Sequence, residues 1–555
     1  MKLRYLFLLI AFFHSITTFA QDRYVIFFTD KNNSPYSVSA PQQFLSQRAI
    51  DRRINQGISI TSEDLPVNPS YVQGLSAAGA TILGTTKWFN AAIVYIPNTT
   101  VMGNILQLPY VQNSLNIGRI KSGDSHTKFD VQLPAPYASE RTHSSAAATF
   151  FNYGYSFNQI NMIGLNGLHD MGLTGEGMLI AVMDAGFLDA NLMVCFDSLF
   201  AQNRIAATWD FVDNESDVYD DHYHGAAVLS CMASNVADSI IGTAPHASYL
   251  LLRSEDAATE YIIEEYNWAM AAEYADSAGA DIINSSLGYT TFNDPAQDHT
   301  YMDMNGNTAP VTIAADFAAS RGILVVNSAG NEGGSNWNYI GAPADGDSVL
   351  AVGAVNAQEN YAGFSSNGPS YDGRIKPDVA ARGQNTWLYS PYSNNLPIMA
   401  NGTSFSSPVM AGAVACLWQA WGTKNNMEII DAVKRSAHQF NNPDTLLGYG
   451  IPDFSLANSL LGLGDINVPT DEQVHIFPNP WNGSDPLTIL FYSQDSGPGI
   501  ARLYDMQGKL INSTTFATVP GGYTMQMFSA LLQAGMYILE YQQNDKLFSR
   551  KLIRY

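Results

Sequence analysis

The chain has 555 residues, 46% of them apolar and 14% charged, enough for large buried sheets and for two to four domains of ordinary size. A formal net charge of −23 argues against nucleic acid or an anionic membrane as partner, although acidity alone does not prove a secreted protein. Cys195, Cys231 and Cys416 are too few for a disulfide framework and leave room for at most one bridge.

In chain order, Met1-Lys2-Leu3-Arg4 is a basic start, Tyr5 to Phe13 is an apolar core too short to span a bilayer, and Thr18-Phe19-Ala20 offers small residues before Gln21. Residues 1–20 are therefore predicted to be a signal peptide, and the protein to be secreted or displayed at the cell surface; an uncleaved anchor is the competing reading. Residues 21–121 read as a small α+β domain. Its predicted strands cover Arg23 to Phe28 and Trp88 to Ile96, and its helices Pro41 to Gln56 and Tyr71 to Ala78. Pro134-Ala135-Pro136 and the run from Ser144 to Ala148 make residues 122–154 a linker and processing region.

Across residues 155–460, predicted strands at 178–183, 247–252, 281–285, 323–328 and 349–355 alternate with helical runs such as 260–278 and 308–321. That alternation implies βαβ crossovers and an α/β class, a doubly wound, mainly parallel sheet covered on both faces. After a second linker at 461–473, residues 474–555 carry short strands over Leu487 to Tyr492, Ala501 to Asp505, Gly535 to Tyr541 and Lys546 to Ile553, separated by turns. This spacing predicts a small antiparallel β-sandwich.

Three segments of the central region carry candidate chemistry. Asp184 ends an apolar run, at the strand edge where open α/β sheets gather their sites, although an Asp before Gly186 also reads as a turn cap. His224 opens a run of small and apolar residues that suits a buried helix; with His222 two positions upstream, a surface or metal-bound histidine is the competing reading. Ser404, in Asn401-Gly402-Thr403-Ser404-Phe405-Ser406-Ser407-Pro408, opens another buried helix with Pro408 tolerated in its first turn, and could otherwise be a simple cap. A serine hydroxyl needs a base to attack at neutral pH, and the base needs a buried carboxylate to hold its tautomer. Asp184, His224 and Ser404 supply those three types.

The order Asp, His, Ser, with the motifs around each residue, resembles the subtilisin-like serine proteases, or subtilases. The resemblance implies that Val325 to Gly333 is the oxyanion segment, with Asn331 donating its side-chain amide beside the Ser404 N–H. It also implies that Ser286-Leu287-Gly288 pairs with an extended peptide substrate, against the alternative of an ordinary sheet strand. Two positions depart from the family pattern that bears on activity: Ala185 replaces a hydroxyl residue after the Asp, and Phe405 a Met after the Ser. Ala226 departs where the family has Thr. The N-terminal domain then looks like an inhibitory propeptide, with a retained accessory domain as the alternative. The Pro478-Asn479-Pro480 start, Ala534-Gly535-Met536-Tyr537 and the basic ending resemble a type IX secretion sorting domain, an address read by outer-membrane secretion machinery; a binding sandwich is the alternative.

No cofactor is required by this chemistry, and no zinc-type spacing occurs in the sequence. Asp210, Asp213, Asp217, Asp220 and Asp221 offer oxygen ligands for a structural calcium, or form a solvated acidic loop. The expected activity is hydrolysis of protein or peptide substrates through an acyl-enzyme, and the competing class is a noncatalytic adhesin on the same scaffold.

Overall fold

The computed structural model describes residues 22–118, 128, 150–462 and, towards the C-terminus, 474–477, 487–493, 497–518, 522–528, 532–533, 535–543 and 546–554. The predicted signal peptide and most of the predicted linkers lie outside the described residues.

The N-terminal region is a four-stranded antiparallel sheet of β1 (Asp22–Phe28), β2 (Thr81–Thr86), β3 (Ala91–Ile96) and β4 (Val111–Gly118), in the order β2-β3-β1-β4. Helices α1 (Gln47–Asn55), α2 (Pro69–Ala77) and α3 (Thr99–Ile105) complete it. The single helix expected over 41–56 is two pieces, a short 3-10 turn at Pro41–Gln43 and α1, because Ser46 accepts a hydrogen bond from the Ala49 amide and caps a new helix. The strand expected from Trp88 starts only at Ala91: Lys87 to Asn90 form a turn with Asn90 at φ 48°, and the Trp88 N–H donates to Glu273 across the interface.

The central region is built on a seven-stranded sheet. Its strands are β5 (Leu179–Asp184), β6 (Ile205–Asp210), β7 (Ser248–Arg253), β8 (Ile282–Ser285), β9 (Leu324–Ser328), β10 (Val349–Val355) and β11 (Val379–Arg382). The order is β11-β10-β9-β8-β5-β7-β6, and every pairing is parallel. Strands β5, β8, β9 and β10 are buried throughout, as apolar parallel strands covered on both faces must be. One face carries α4 (His224–Ala233) and the central helix α7 (Thr403–Ala420), which is buried from Thr403 to Trp418. The other carries α5 (Ile263–Ala278) and α6 (Pro310–Ser320).

The N-terminal sheet lies on α5, where Val25, Ala91 and Ile93 pack against Tyr266 and Met270. Beyond residue 462, the described strands form two antiparallel sheets. One joins β12 (Val474–Phe477), β13 (Leu487–Ser493) and β16 (Gly522–Phe528). The other joins β14 (Gly497–Asp505), β15 (Leu510–Thr518), β17 (Gly535–Gln543) and β18 (Lys546–Arg554).

Candidate active site

The C-terminal edge of the central sheet collects the residues singled out above. Asp184 is the last residue of β5 and His224 the first of α4; both are fully buried, and His224 Nδ1 lies 2.8 Å from Asp184 Oδ1. The close approach depends on Gly225. A Cβ there would stand 2.4 Å from the Gly186 carbonyl oxygen and 2.9 Å from Asp184 Cβ. The Ala185 N–H donates to Asp184 Oδ1 at 2.8 Å, whereas Oδ2 is buried with no hydrogen-bond partner among the described residues. An alanine after the aspartate has no hydroxyl to offer that oxygen.

His222 belongs to the same turn. Its Nδ1 accepts the His224 N–H at 3.3 Å, and burial, with the neighbouring His224, pushes its pKa down to about 4, so the ring is neutral near pH 7.

Ser404 is the second residue of α7 and 7% exposed. The amides of a first helical turn have no intrahelical acceptor and lie at the positive end of the helix dipole, so an anion is favoured beside this serine. Pro408 stands four residues on, and its missing N–H leaves the Ser404 carbonyl without its helical donor. Ser286 Oγ takes that place at 2.9 Å. The Ser286 hydroxyl thus holds the backbone of Ser404, while Ser286 to Gly288 also line the cleft, where the expected pairing with substrate would take place.

Asn331 follows β9 and faces the N-terminus of α7. Its Oδ1 accepts from both the N–H and the hydroxyl of Thr403, each at 2.9 Å. With the oxygen fixed, the amide nitrogen is the side left for a ligand. Gly402, just before α7, has φ 150°, a conformation that side-chain-bearing residues rarely adopt, so glycine serves the turn into Thr403.

His224, Ser404, Asn331 and Ser286 to Gly288 all line one cleft of about 490 Å³. The expected site residues are thus brought together. The roles of Thr403, Ser286 and Gly225 escaped the linear reading. Pro408, four residues after Ser404, was the one signal that something had to serve the orphaned carbonyl.

The acidic run folds around a cation from its own chain. Asp210 and Asp213 each lie 2.6 Å, and Asp221 3.1 Å, from Arg253 Nη1, while Asp217 caps a turn at Tyr219.

Residues 175–450 match the family model described as the subtilase family, 23–129 that of the peptidase S8 propeptide domain of Bacteroidota, and 475–554 that of the secretion system C-terminal sorting domain. Subtilisin E of Bacillus subtilis (strain 168) is 32% identical over 287 residues, covering 51% of this chain and 66% of its own length. Subtilisin of Bacillus pumilus is 32% identical over 282 residues, covering 50% of this chain and 90% of its own. The crystal structure of MycP1 from Mycobacterium smegmatis aligns at a TM-score of 0.43 and 19% identity, covering 59% of this chain and 89% of that one. The sorting domain marks the chain for export, to the medium or the cell surface, and among the described residues no helix is long and apolar enough to cross a membrane. With a propeptide domain before its catalytic region and a sorting domain after it, the chain belongs to the subtilase family of serine endopeptidases.

Proposed function

We propose that the protein is an exported endopeptidase that cleaves protein or peptide substrates by acyl transfer. The observation that carries this reading is the buried 2.8 Å contact of His224 Nδ1 with Asp184 Oδ1 beside a cleft that Ser404 and Asn331 share. Asp184 holds the imidazole with Nδ1 protonated, which leaves Nε2 as the base. Ser404 gives its proton to His224 and attacks the peptide carbonyl; the oxyanion is met by the Asn331 amide and the Ser404 N–H. His224 then protonates the leaving amine, and water repeats the sequence on the acyl-enzyme.

The propeptide domain is the chain's own partner, sitting on α5 until it is removed, and the sorting domain meets the outer-membrane secretion machinery. The site chemistry requires no cofactor. A structural calcium at the acidic run remains a proposal, with Arg253 already supplying positive charge there.

A fluorophosphonate probe tests the reading. It is expected to label mature protein at Ser404, and Ser404→Ala is expected to lose both label and peptidase activity. Folded mature protein that resists the probe and cleaves no peptide would instead identify a noncatalytic scaffold.

A further inference from the structure

From the end of β7 into the first turn of α5 the chain turns three glutamates inward together. Glu255 and Glu264 are each 2% exposed and Glu260 7%, and one carboxylate oxygen of each lies within 4.8 Å of the others. Three buried carboxylates at such range need a cation or protons, because neither water nor distance relieves their repulsion.

The cation comes from the segment that joins the N-terminal domain to the catalytic region. The Lys128 ammonium hydrogen-bonds Glu255 Oε1 and Glu264 Oε2 and lies 3.1 Å from Glu260 Oε2, with its own side chain 6% exposed. Tyr289 donates its hydroxyl to Glu255 Oε2 at 2.6 Å. Glu260 Oε1 is buried without a hydrogen-bond partner among the described residues, so the pocket has acceptor capacity beyond what the single ammonium uses. Burial pushes the Glu260 and Glu264 carboxyls up, against the pull of Lys128.

This pocket is not a separate interface. Lys128, Glu255 and Glu260 line the same cleft as His224, Ser404, Asn331 and Ser286 to Gly288. Lys128 lies within the 23–129 stretch that matches the propeptide domain, so its departure would leave three buried glutamates open to the next cation that enters the cleft.

We propose that Glu255, Glu260 and Glu264 form the specificity pocket of the cleft, selecting a lysine or arginine side chain of the substrate, and that Lys128 fills it as a substrate lysine does. The proposal rests on the peptidase reading given above. A guanidinium or ammonium gains charge-assisted hydrogen bonds there, a neutral side chain leaves the carboxylates unpaired, and an acidic one adds repulsion.

The test uses mature protein, the full chain after removal of its N-terminal domain, assayed on fluorogenic peptides in which one lysine is stepped through each position upstream of the cleaved bond in an otherwise neutral sequence. At one position lysine or arginine is expected to raise kcat/KM by about tenfold or more over norleucine, and glutamate to lower it. In Glu260→Gln/Glu264→Gln the ratio of lysine to norleucine peptide is expected to fall towards unity. Because these variants could fail to fold or mature, the wild-type peptide series decides on its own: cleaved peptides with a preference below about threefold at every position overturn the pocket and leave the peptidase reading standing. The same result accompanied by a calcium-dependent rise in Tm that the double variant lacks would assign the glutamates to a metal ion. Folded protein that cleaves none of the peptides and resists the fluorophosphonate would overturn both readings.

Discussion

Ser286 and Pro408 form a compensating pair around the nucleophile. Pro408 removes the helical donor for the Ser404 carbonyl, and Ser286 Oγ replaces it at 2.9 Å. Ser286→Ala leaves that carbonyl unsatisfied, a cost of about 1–3 kcal/mol, and loosens the first turn of α7. We expect kcat to fall about tenfold with KM changed less, and Ser286→Thr, which keeps the hydroxyl, to recover most of the loss in steady-state assays. Gly225 acts by contact alone. A methyl group 2.4 Å from the Gly186 carbonyl oxygen must push α4 away from β5, so Gly225→Ala is expected to lower kcat on the order of 10²-fold while circular dichroism stays close to wild type. Asp221 adds a pH dependence. Burial first, then Asp210, Asp220 and Asp213, push its carboxyl from 3.8 up to about 6, with Arg253 pulling the other way. Between those values the native state holds a proton that the unfolded chain has lost, so this group's contribution to stability falls as pH rises from about 4 to 6 and stays lower above. Thermal melts should show Asp221→Asn gaining Tm on wild type through that window; a difference that is flat or shrinks would refute the assignment.

At the scale of elements, the strands that bear the site could be read from sequence because parallel strands buried on both faces are unbroken apolar runs. Strands β8, β9 and β10 were expected at 281–285, 323–328 and 349–355 and occur at Ile282–Ser285, Leu324–Ser328 and Val349–Val355. Strands β6 and β11 were not foreseen, the first half-exposed at the sheet edge and the second four residues long and ending in Arg382. The Thr-rich β2, mostly exposed or half-buried, was missed for the same reason. Asp184, His224 and Ser404 stood out because each sits in a contiguous motif. The bonds that aim them run between motifs far apart in the chain, and no periodicity encodes those. The Thr403 to Asn331 link joins the start of α7 to the loop after β9 in this way. Thr403→Val keeps the shape but removes the hydroxyl from Asn331 Oδ1, and is expected to cost about tenfold in kcat. Asn331→Ala is expected to cost on the order of 10²–10³, the usual price of one oxyanion donor. If Thr403 works through Asn331, the double variant will be no slower than Asn331→Ala alone; additive losses would separate the two residues.

The propeptide domain is held to the catalytic region by charge buried within the whole assembly. Asp276 on α5 is fully buried and receives Arg52, Arg53 and Lys87 from the N-terminal domain at 2.6, 2.8 and 2.8 Å. Burial alone would raise its carboxyl, but Lys87, Arg52 and Arg53 hold it well below the usual carboxylate range, so mild acid does not discharge this contact. Arg48, by contrast, is 42% exposed in its pair with Asp281. Truncating one partner of a buried charge pair costs about 2–5 kcal/mol of association, against about 0–1 kcal/mol for an exposed pair. Full chain carrying Asp276→Asn is therefore expected to lose the cleaved N-terminal domain on gel filtration and to show peptidase activity early, whereas Arg48→Ala behaves as wild type. Asp276 lies on the catalytic side of the interface, so its substitution leaves the internal Arg53 to Asp64 pair of the N-terminal domain in place and separates weakened docking from a misfolded domain. Retention of the cleaved domain by Asp276→Asn, with activity as late as in wild type, would show that the apolar contacts of Val25, Ala91 and Ile93 on Tyr266 and Met270 hold the inhibited form by themselves.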